Sequence, residues 1–295
     1  MPEERLVVLP GGDRSATARR LVGLMETEFV TGKGRTGRLS RLYPDAFASP
    51  RHGRLFGLLT SNGEAAAALV VRLFRIRHAG TTRTGAMIGF VVTRPADRGR
   101  GLGARLMDEA AAQLRESGVD LGVLWARRPD LYLKLGWRAA DTSLLGRWHG
   151  APDSAAKVTW AKAPFAPTLG RRLNRLRPAP AIERPAVVYT KRPYPAERLW
   201  IAMVSGGYAI IGEAAGTGYA FELGGRPEAA PDLLASAAMR WPDLRINGST
   251  TDPIARHLGK AGLVDFQPNP LAMWLPLASG FRKRDAVWVP YLDRI

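Results

Sequence analysis

The sequence contains no cysteine and only four histidines among 295 residues. Without cysteine there is no disulfide framework, no thiolate metal ligand and no cysteine nucleophile. Four scattered histidines also argue against a histidine metal cage, so we expect no metal. The chemistry of the protein must therefore come from other side chains or from the main chain.

Long apolar runs are missing as well. No stretch reaches the roughly 20 apolar residues that span a bilayer. The N-terminal stretch MPEERLVVLPGGDR begins with acidic residues and lacks the apolar core of a secretion signal. We therefore expect a cytoplasmic protein without a transmembrane segment, and its length is enough for two domains with separate cores.

Acidic residues are also scarce, since 26 Asp and Glu stand against 43 Lys and Arg, for a net charge of +17. Residues 1–150 carry a net charge of +10, residues 151–200 carry +7, and residues 201–295 carry none. A local excess of this kind attracts nucleotides, nucleic acid or an anionic surface. A solvated basic face explains the same charge, so the charge does not identify a partner.

The first half of the chain alternates between strand-like and helix-like stretches. Strand-like runs are RLVVLP, GRLFGLLTS, AAAALVVRLFRIR, GAMIGFVVTRP, DLGVLWA and WRAADTSLLGRW. Helical patterns are SATARRLVGLMETEF, with Ser15 as N-cap, the short PDLYLKLG, and GARLMDEAAAQLRESG. In the last of these, Leu106, Ala110 and Leu114 form one stripe and Gly118 ends the helix. Antiparallel strands followed by alternating strands and helices predict a mixed α/β sheet covered on both faces.

Composition divides the chain into three predicted parts. Residues 1–150 form a first domain, residues 151–190 a basic connection rich in Pro and Ala, and residues 191–295 a second domain. The second domain repeats the rhythm of the first. Its predicted strands and helices are PAVVYT (residues 185–190, at the end of the connection), GYAIIGEA, GTGYAFELGG, APDLLASAAMRW, DLRING, DPIARHLGKAGL and LAMWLPLA. The order indicates a duplicated architecture.

The basic connection contains a candidate amphipathic helix. Leu169, Leu173 and Leu176 recur at helical spacing among arginines. Either the leucines pack on an adjoining domain, or the segment 151–200 contacts a polyanion or an anionic surface.

A glycine- and arginine-rich stretch, TRPADRGRGLGARL, lies between a predicted strand and the clearest helix. It fits the pattern Arg/Gln-x-x-Gly-x-Gly/Ala at residues 98–103. A P-loop would require a Lys-Ser or Lys-Thr pair after the glycines, and a dinucleotide-binding loop would require a third glycine where Ala104 stands. Glycines let backbone N–H groups approach a diphosphate, and a helix N-terminus with arginines adds positive charge.

This pattern resembles the acyl-coenzyme-A signature of the GCN5-related N-acetyltransferases (GNAT). The resemblance implies a GNAT fold whose strand before the loop binds the pantetheine arm while the loop binds the diphosphate. The implied donor-binding residues are Phe90, Val91, Val92, Arg98, Gly99, Arg100, Gly101, Leu102 and Gly103. Backbone N–H groups near Val91 and Val92 could polarise the thioester carbonyl.

A second match supports the resemblance. The stretch VLWARRPDLYLKLGW resembles the strand of this family and its Tyr-x-Lys-x-Gly-aromatic segment. It implies that Tyr132 protonates the departing coenzyme A thiolate as general acid. The implied activity is an acyl-coenzyme-A-dependent N-acyltransferase, which most simply transfers acetyl to a primary amine of a small molecule or a protein.

More narrowly, the chain resembles tandem acetyltransferases of the enhanced-intracellular-survival type. Residues 191–295 would then be a degenerate second GNAT-like copy without the loop. Those proteins add a sterol-carrier-like domain and use their terminal carboxylate as a base. The sequence ends at Ile295 with too few residues for that domain, so we carry over neither their substrate nor their base. A homo-oligomer is compatible with the sequence.

The general base is left open by the residues. No glutamate lies on the strand before the loop, and Glu26, Glu28, Asp45 and His52 are candidates that serve equally well as surface charges. A water chain or an already neutral amine would need no dedicated base.

Other residues near the motifs have simpler explanations. Arg127 and Arg128 either add to the anion site or lie in a solvated loop, whereas His78, Trp125 and Trp137 suit structural roles. The alternative function is a non-catalytic protein on the same scaffold that binds nucleic acid or an anionic surface.

Overall fold

The computed structural model describes residues 4–78, 81–151, 156–165, 167–177, 182–184, 196–279 and 288–295. The fold is mixed α/β, as predicted, and divides into two compact units. Unit 1 comprises residues 1–140, 271–286 and 295, and unit 2 comprises residues 141–270 and 287–294. The predicted strand PAVVYT lies outside the described residues. No described helix is long and apolar enough to cross a membrane.

Unit 1 is built on one mixed sheet. Its strands are β1 (Arg5–Pro10), β2 (Gly53–Leu59), β3 (Ala65–His78), β4 (Thr81–Thr93), β5 (Leu121–Trp125), β6 (Arg138–Ala139) and β14 (Ala272–Pro276). They lie in the order β1-β2-β3-β4-β5-β14-β6. Its helices are α1 (Ala16–Phe29), α2 (Leu39–Leu42), α3 (Pro44–Phe47), α4 (Leu102–Glu116) and α5 (Asp130–Leu133).

Unit 2 has a second mixed sheet. Its strands are β7 (Ser143–Trp148), β8 (Thr159–Lys162), β9 (Arg198–Val204), β10 (Gly207–Ala214), β11 (Thr217–Gly225), β12 (Leu244–Ser249) and β13 (Val264–Pro268). They lie in the order β13-β7-β12-β11-β10-β9-β8. Its helices are α6 (Pro167–Leu176), α7 (Ala230–Ala238) and α8 (Pro253–Lys260). The sequence patterns did not predict β8 and β13, which have four and five residues and so carry little periodic signal, nor the longer β9.

Local signals in the sequence place both long helices of unit 1. The Ser15 hydroxyl accepts a hydrogen bond from the Ala18 N–H at 3.1 Å and so caps α1. The predicted stripe of α4, including Leu106 and Leu114, is buried in the core of unit 1. Gly118 follows α4 with φ +74°, where a side chain would be strained. These contacts hold α4 against the sheet and so position its N-terminus.

The division between the units differs from the predicted domain bounds. The stretch WRAADTSLLGRW, predicted as one strand, contributes β6 to unit 1 and β7 to unit 2. The stretch LAMWLPLA, assigned to the second domain, contains β14, which pairs with β5 in unit 1. Met273 and Trp274 of β14 are each 1% exposed. Such an all-apolar pattern predicts a strand buried on both faces but does not specify which sheet contains it.

The parallel pair in the middle of the first sheet separates after a short contact. Pairing of β4 with β5 runs only from Gly85 opposite Leu121 to Met87 opposite Val123. Further along β4, the register with β3 shifts between Ala68 and Val70, which is a β-bulge. The strands therefore diverge toward their C-terminal ends, where open α/β sheets form ligand crevices.

Candidate functional site

A cavity of about 660 Å³ lies in unit 1 at the end of β4, where β4 and β5 diverge. One wall comes from β4, a second from the glycine-rich loop and the start of α4, and a third from the segment around α5. The cavity therefore brings together the three stretches that the sequence motifs singled out. Residues that line it include Val91, Gly99, Gly101, Leu102, Gly103 and Tyr132.

Glycine is required in the loop for two different physical reasons. Gly99 has φ +81° and Gly101 has φ +75°, a conformation that residues with a side chain rarely adopt. A Cβ atom at either residue would meet no described atom within 4 Å, so both border open space. A Cβ atom at Gly103 would lie 3.2 Å from Oγ1 of Thr93, which shows how closely α4 approaches β4. The helix N-terminus, with its unpaired N–H groups, thus borders the cavity.

The two arginines of the loop lie in different places. Arg98 lines the cavity, and its Nη2 lies 3.0 Å from Oε2 of Glu28, with its side chain 55% exposed. Arg100 is not among the residues that line the cavity and instead pairs with Glu4 and Asp97. The sequence-based assignment of Arg100 to the ligand therefore does not fit this geometry, because two buried carboxylates hold its guanidinium.

These carboxylates form a network that anchors the loop. Asp97 is 5% exposed and accepts hydrogen bonds from Nε of Arg94 at 2.5 Å and from Nη1 of Arg100 at 2.7 Å. The bond from Arg94, followed by that from Arg100, lowers the pKa of Asp97. Glu4 is 6% exposed and pairs with Arg100 and, at 3.6 Å, with Arg105 of α4. The loop is thus tied to α4 and to the residue before β1.

The three predicted positions on β4 have different environments. Val91 lines the cavity, whereas Val92 is buried in the core. Phe90 lies in the bulge with φ +54°. Its ring contacts those of Phe29, Tyr43 and Phe47 at centroid distances of 5.0–5.4 Å. Of the three side chains, only that of Val91 borders the cavity.

Tyr132 lies on α5 and lines the cavity. Its ring meets the buried Trp137 edge-on at 6.4 Å, so Trp137 has the predicted packing role. Burial raises the pKa of the Tyr132 hydroxyl above its ordinary value. The hydroxyl therefore stays protonated at neutral pH and can act as a proton donor.

Two of the candidate bases are held by neighbouring groups near α1. Oε1 of Glu26 accepts a hydrogen bond from the N–H of Leu39 at 2.8 Å. Glu28 pairs with Arg98, as described above. Neither glutamate is among the residues that line the cavity.

The other two candidates lie near the start of β2. Asp45 and Arg72 form an ion pair at 2.5 Å in which both side chains are 1% exposed. His52 lies 3.1 Å from the Ser49 hydroxyl, and burial lowers the pKa of its imidazole. None of these groups lines the cavity. The side chain of His78 lies outside the described residues.

Sequence reasoning missed several residues of this region. Asp97 stood in the quoted loop but received no role, and Glu4 carried no signal because it is 96 residues from Arg100 along the chain. Ile295 also went unassigned to the site, yet a Cβ atom at Gly89 would lie 3.2 Å from its Cγ1 and 3.3 Å from its carbonyl oxygen. These contacts are tertiary and have no local pattern.

In unit 2 the leucines of the basic helix α6 pack on the domain, which is the first of the two interpretations of this segment. Its leucines at 169, 173 and 176 pack into the core of unit 2, as predicted. Arg171, Arg172 and Arg175 are exposed. Contact with a polyanion stays a prediction.

Comparison with known proteins now identifies the first unit. Residues 35–140 match the model of the acetyltransferase (GNAT) domain family. Unit 1 carries a GNAT acetyltransferase domain. Membership of that family implies acyl transfer from an acyl-coenzyme A to an acceptor. No curated protein sequence matches the chain.

Solved structures extend the likeness to both units. A GCN5-related N-acetyltransferase from Kribbella flavida is similar with a TM-score of 0.66 and 18% identity, covering 92% of this chain and 71% of that one. Eis1 from Mycobacterium abscessus is similar with a TM-score of 0.63 and 14% identity, covering 92% and 74%. A tandem GNAT protein from the clavulanic acid biosynthesis pathway has a TM-score of 0.53 and 12% identity, covering 94% and 100%. At such identities the likeness concerns the fold, which comprises two GNAT-like halves.

Proposed function

We propose that unit 1 transfers an acetyl group from acetyl-coenzyme A to a primary amine by direct attack. The observation that carries this proposal is the single cavity that joins the end of β4, the N-terminus of α4 and Tyr132. In a GNAT domain these three parts would serve donor binding, diphosphate binding and proton transfer. Their meeting in one cavity supports a catalytic reading of the fold.

The residues present fit a coenzyme A thioester. Gly99 and Gly101 leave open space beside the main chain, so that N–H groups of the loop and of α4 can reach a diphosphate. Arg98, on the same wall, adds a full positive charge. Beyond the parallel contact with β5, the end of β4 near Val91 offers main-chain groups to the pantetheine amides.

The chemical step requires the protein to assist three changes. The donor supplies an activated acyl carbon and a thiolate leaving group. A neutral amine forms the new C–N bond as the C–S bond breaks, and main-chain N–H groups near Val91 stabilise the charge that develops on the carbonyl oxygen. Tyr132 gives its proton to the thiolate, and the proton released by the amine restores the phenol through solvent. Amine and thioester thus become amide and thiol with no further reactant.

The test combines donor binding with turnover. Acetyl-coenzyme A at millimolar concentration should raise the melting temperature by several degrees, because a ligand that binds only the folded state stabilises it. Release of free thiol should then be measured across aliphatic amines, polyamines, lysine peptides and free peptide N-termini. Absence of both stabilisation and thiol release would overturn the proposal.

The alternative, an anionic-surface binder, is supported by the exposed arginines of α6. It predicts binding to an oligonucleotide that persists at about 150 mM salt. Binding that disappears at that salt concentration would assign the charge to a solvated face.

A further inference from the structure

We propose that the edge strand β8 of unit 2 binds an extended acidic segment of a partner protein, which adds a strand to the sheet. This binding is separate from acyl transfer in unit 1. β8 is the last strand of its sheet and, among the described residues, pairs only with β9. A strand edge of this kind presents main-chain N–H and C=O groups with which another chain can pair.

The register of β8 shows which of its main-chain groups point away from the sheet. The two strands are antiparallel, and the N–H of Ala163 donates to the carbonyl of Leu199 at 2.9 Å. Bonded and non-bonded residues alternate in such a pair, so Ala161 and Ala163 direct their main-chain groups toward β9. Trp160 and Lys162 therefore direct theirs outward, and no other described strand or loop bonds to them.

Two cations without an acidic partner lie beside this edge. The guanidinium of Arg240 lies 4.2 Å from the ring centre of Trp160, and Nζ of Lys162 lies 5.6 Å from that of Trp200. Neither cation forms an ion pair with a described residue. Glu213 accepts a hydrogen bond from the indole of Trp200 at 3.2 Å but is paired with a different arginine. An acidic chain would supply the missing negative charge.

The same contacts favour a peptide over a nucleic acid. Bases bind by stacking on exposed aromatic rings, but Arg240 lies over both Trp160 and Trp200, at 4.2 and 5.2 Å from the ring centres. The outward N–H and C=O groups of β8 match the backbone of a peptide and not a chain of phosphates. Met239, next to Arg240, is 69% exposed and adds apolar surface. The edge therefore suits a segment that alternates acidic and apolar residues.

Strand geometry specifies where the acidic residues of that segment must lie. In antiparallel pairing, the residues that bond to Trp160 and Lys162 direct their side chains to the same face as these two. An acidic residue opposite Lys162 meets its ammonium group. One opposite Trp160 meets the guanidinium of Arg240, which lies on that ring. The partner segment therefore carries acidic residues at every second position.

Hydrogen exchange with a designed peptide tests the edge residue by residue. The probe is a peptide of about ten alternating Glu and Val residues. In the protein alone, the amides of Trp160 and Lys162 should exchange rapidly and those of Ala161 and Ala163 slowly. Saturating peptide should slow exchange of the first two amides at least about tenfold. A peptide N-methylated on its glutamates should not bind, whereas one N-methylated on its valines should bind normally, because only the glutamate N–H groups face β8.

Charge variants test the two cations. Lys162→Gln and Arg240→Gln should each weaken peptide binding about three- to fivefold at low salt, the usual worth of an exposed ion pair. Lys260→Gln and Arg256→Gln change exposed residues of α8 and serve as matched controls, which should bind like the wild type. Calorimetry gives the dissociation constants, and circular dichroism checks that every variant is folded.

Several results would overturn the proposal. They are no binding of the Glu–Val peptide, binding that tolerates N-methylation of the glutamates, or equal losses in the control variants, which would indicate a general effect of basic charge. Binding of a single-stranded oligonucleotide in place of the peptide, weakened by Arg240→Gln, would assign the surface to nucleic acid. A dimer that dissociates in the same variant during sedimentation would assign the edge to a second copy of this chain.

Discussion

The two units begin the turn after their long central strand in the same way and then differ. In unit 1, Arg94 precedes a short 3-10 helix at Pro95–Asp97, and in unit 2, Arg226 precedes one at Pro227–Ala229. Unit 1 then inserts residues 98–101 before α4 begins, whereas in unit 2 α7 begins at the next residue. The insertion contains the two glycines with positive φ that border the cavity. The same scaffold therefore holds a glycine- and arginine-rich loop in one copy and continues directly into the helix in the other.

Polar residues are also used differently in the two units. The third residue of the turn is Asp97 in unit 1, where it anchors the loop, but Ala229 in unit 2. In unit 2 the buried Tyr208 donates a hydrogen bond to Glu222 at 2.6 Å, and Arg184 pairs with Glu222 at 2.5 Å. Unit 1 thus places a tyrosine and charged groups beside a cavity, while unit 2 places comparable groups within its core.

Blocking the loop should have the largest effect. Gly101→Leu places a side chain on a residue that lines the cavity, at φ +75°, and we expect acetyl-coenzyme A affinity to fall at least about 100-fold. Gly262→Leu is the matched control, because Gly262 in unit 2 has φ +69° and equally open surroundings. Calorimetry should show normal binding in the control. Similar losses in both variants would assign the effect to backbone strain alone.

Removing the phenol beside the cavity should affect turnover next. Tyr132→Phe should lower kcat about 100-fold, the usual worth of a general acid, without changing the dissociation constant of the donor. Because burial raises the pKa of Tyr132, its phenol should stay protonated up to at least about pH 10. The kcat of the wild type should therefore fall only at more alkaline pH, and the kcat of the variant should show no such fall. An unchanged kcat in steady-state assays would exclude Tyr132 as the acid.

Weakening the anchor of the loop should have a smaller effect. Asp97→Asn should raise the dissociation constant of acetyl-coenzyme A about tenfold and change kcat little, because it loosens the loop without touching the reacting atoms. Asp243→Asn is a control, since Asp243 of unit 2 also pairs with arginines, Arg147 and Arg245. Equal binding by the wild type and the Asp97 variant would show that the network is structural only.

The same anchor predicts a pH dependence. The bonds from Arg94 and Arg100 lower the pKa of Asp97 in the folded protein. The stability that the ionised carboxylate gives to the loop is therefore complete above the ordinary pKa of about 3.9 and is lost as the pH falls through the lower pKa of the folded state. Donor affinity of the wild type should therefore hold down to about pH 4 and fall below it. A loss centred near neutral pH in titrations would point to another group.

The smallest effect on catalysis should come from the tyrosine of the second unit. Tyr208→Phe should lower the free energy of unfolding by about 1–2 kcal/mol, because Glu222 loses a buried donor. Donor affinity and kcat should stay at wild-type values. Thermal unfolding and steady-state kinetics check the two parts, and a fall in kcat at unchanged stability would contradict the structural role.

Much of unit 1 could be predicted because its signals are local. The N-cap at Ser15, the buried stripe of α4 and the glycine after it depend on neighbours within a few residues. The loop pattern depends on glycines whose conformational freedom is a property of the residue itself. The place of β14 could not be predicted, because its apolar pattern fits the middle of either sheet.

The sequence by itself determined where the two long helices of unit 1 and most of the strands form, and that the glycine- and arginine-rich loop occurs once. Only the tertiary structure decided that Arg98 and Arg128 line the cavity while Arg100 and Arg127 do not. The physical reason is that periodicity and glycine content act over a few residues. The environment of an arginine, in contrast, depends on carboxylates such as Glu4 that the fold brings from distant positions.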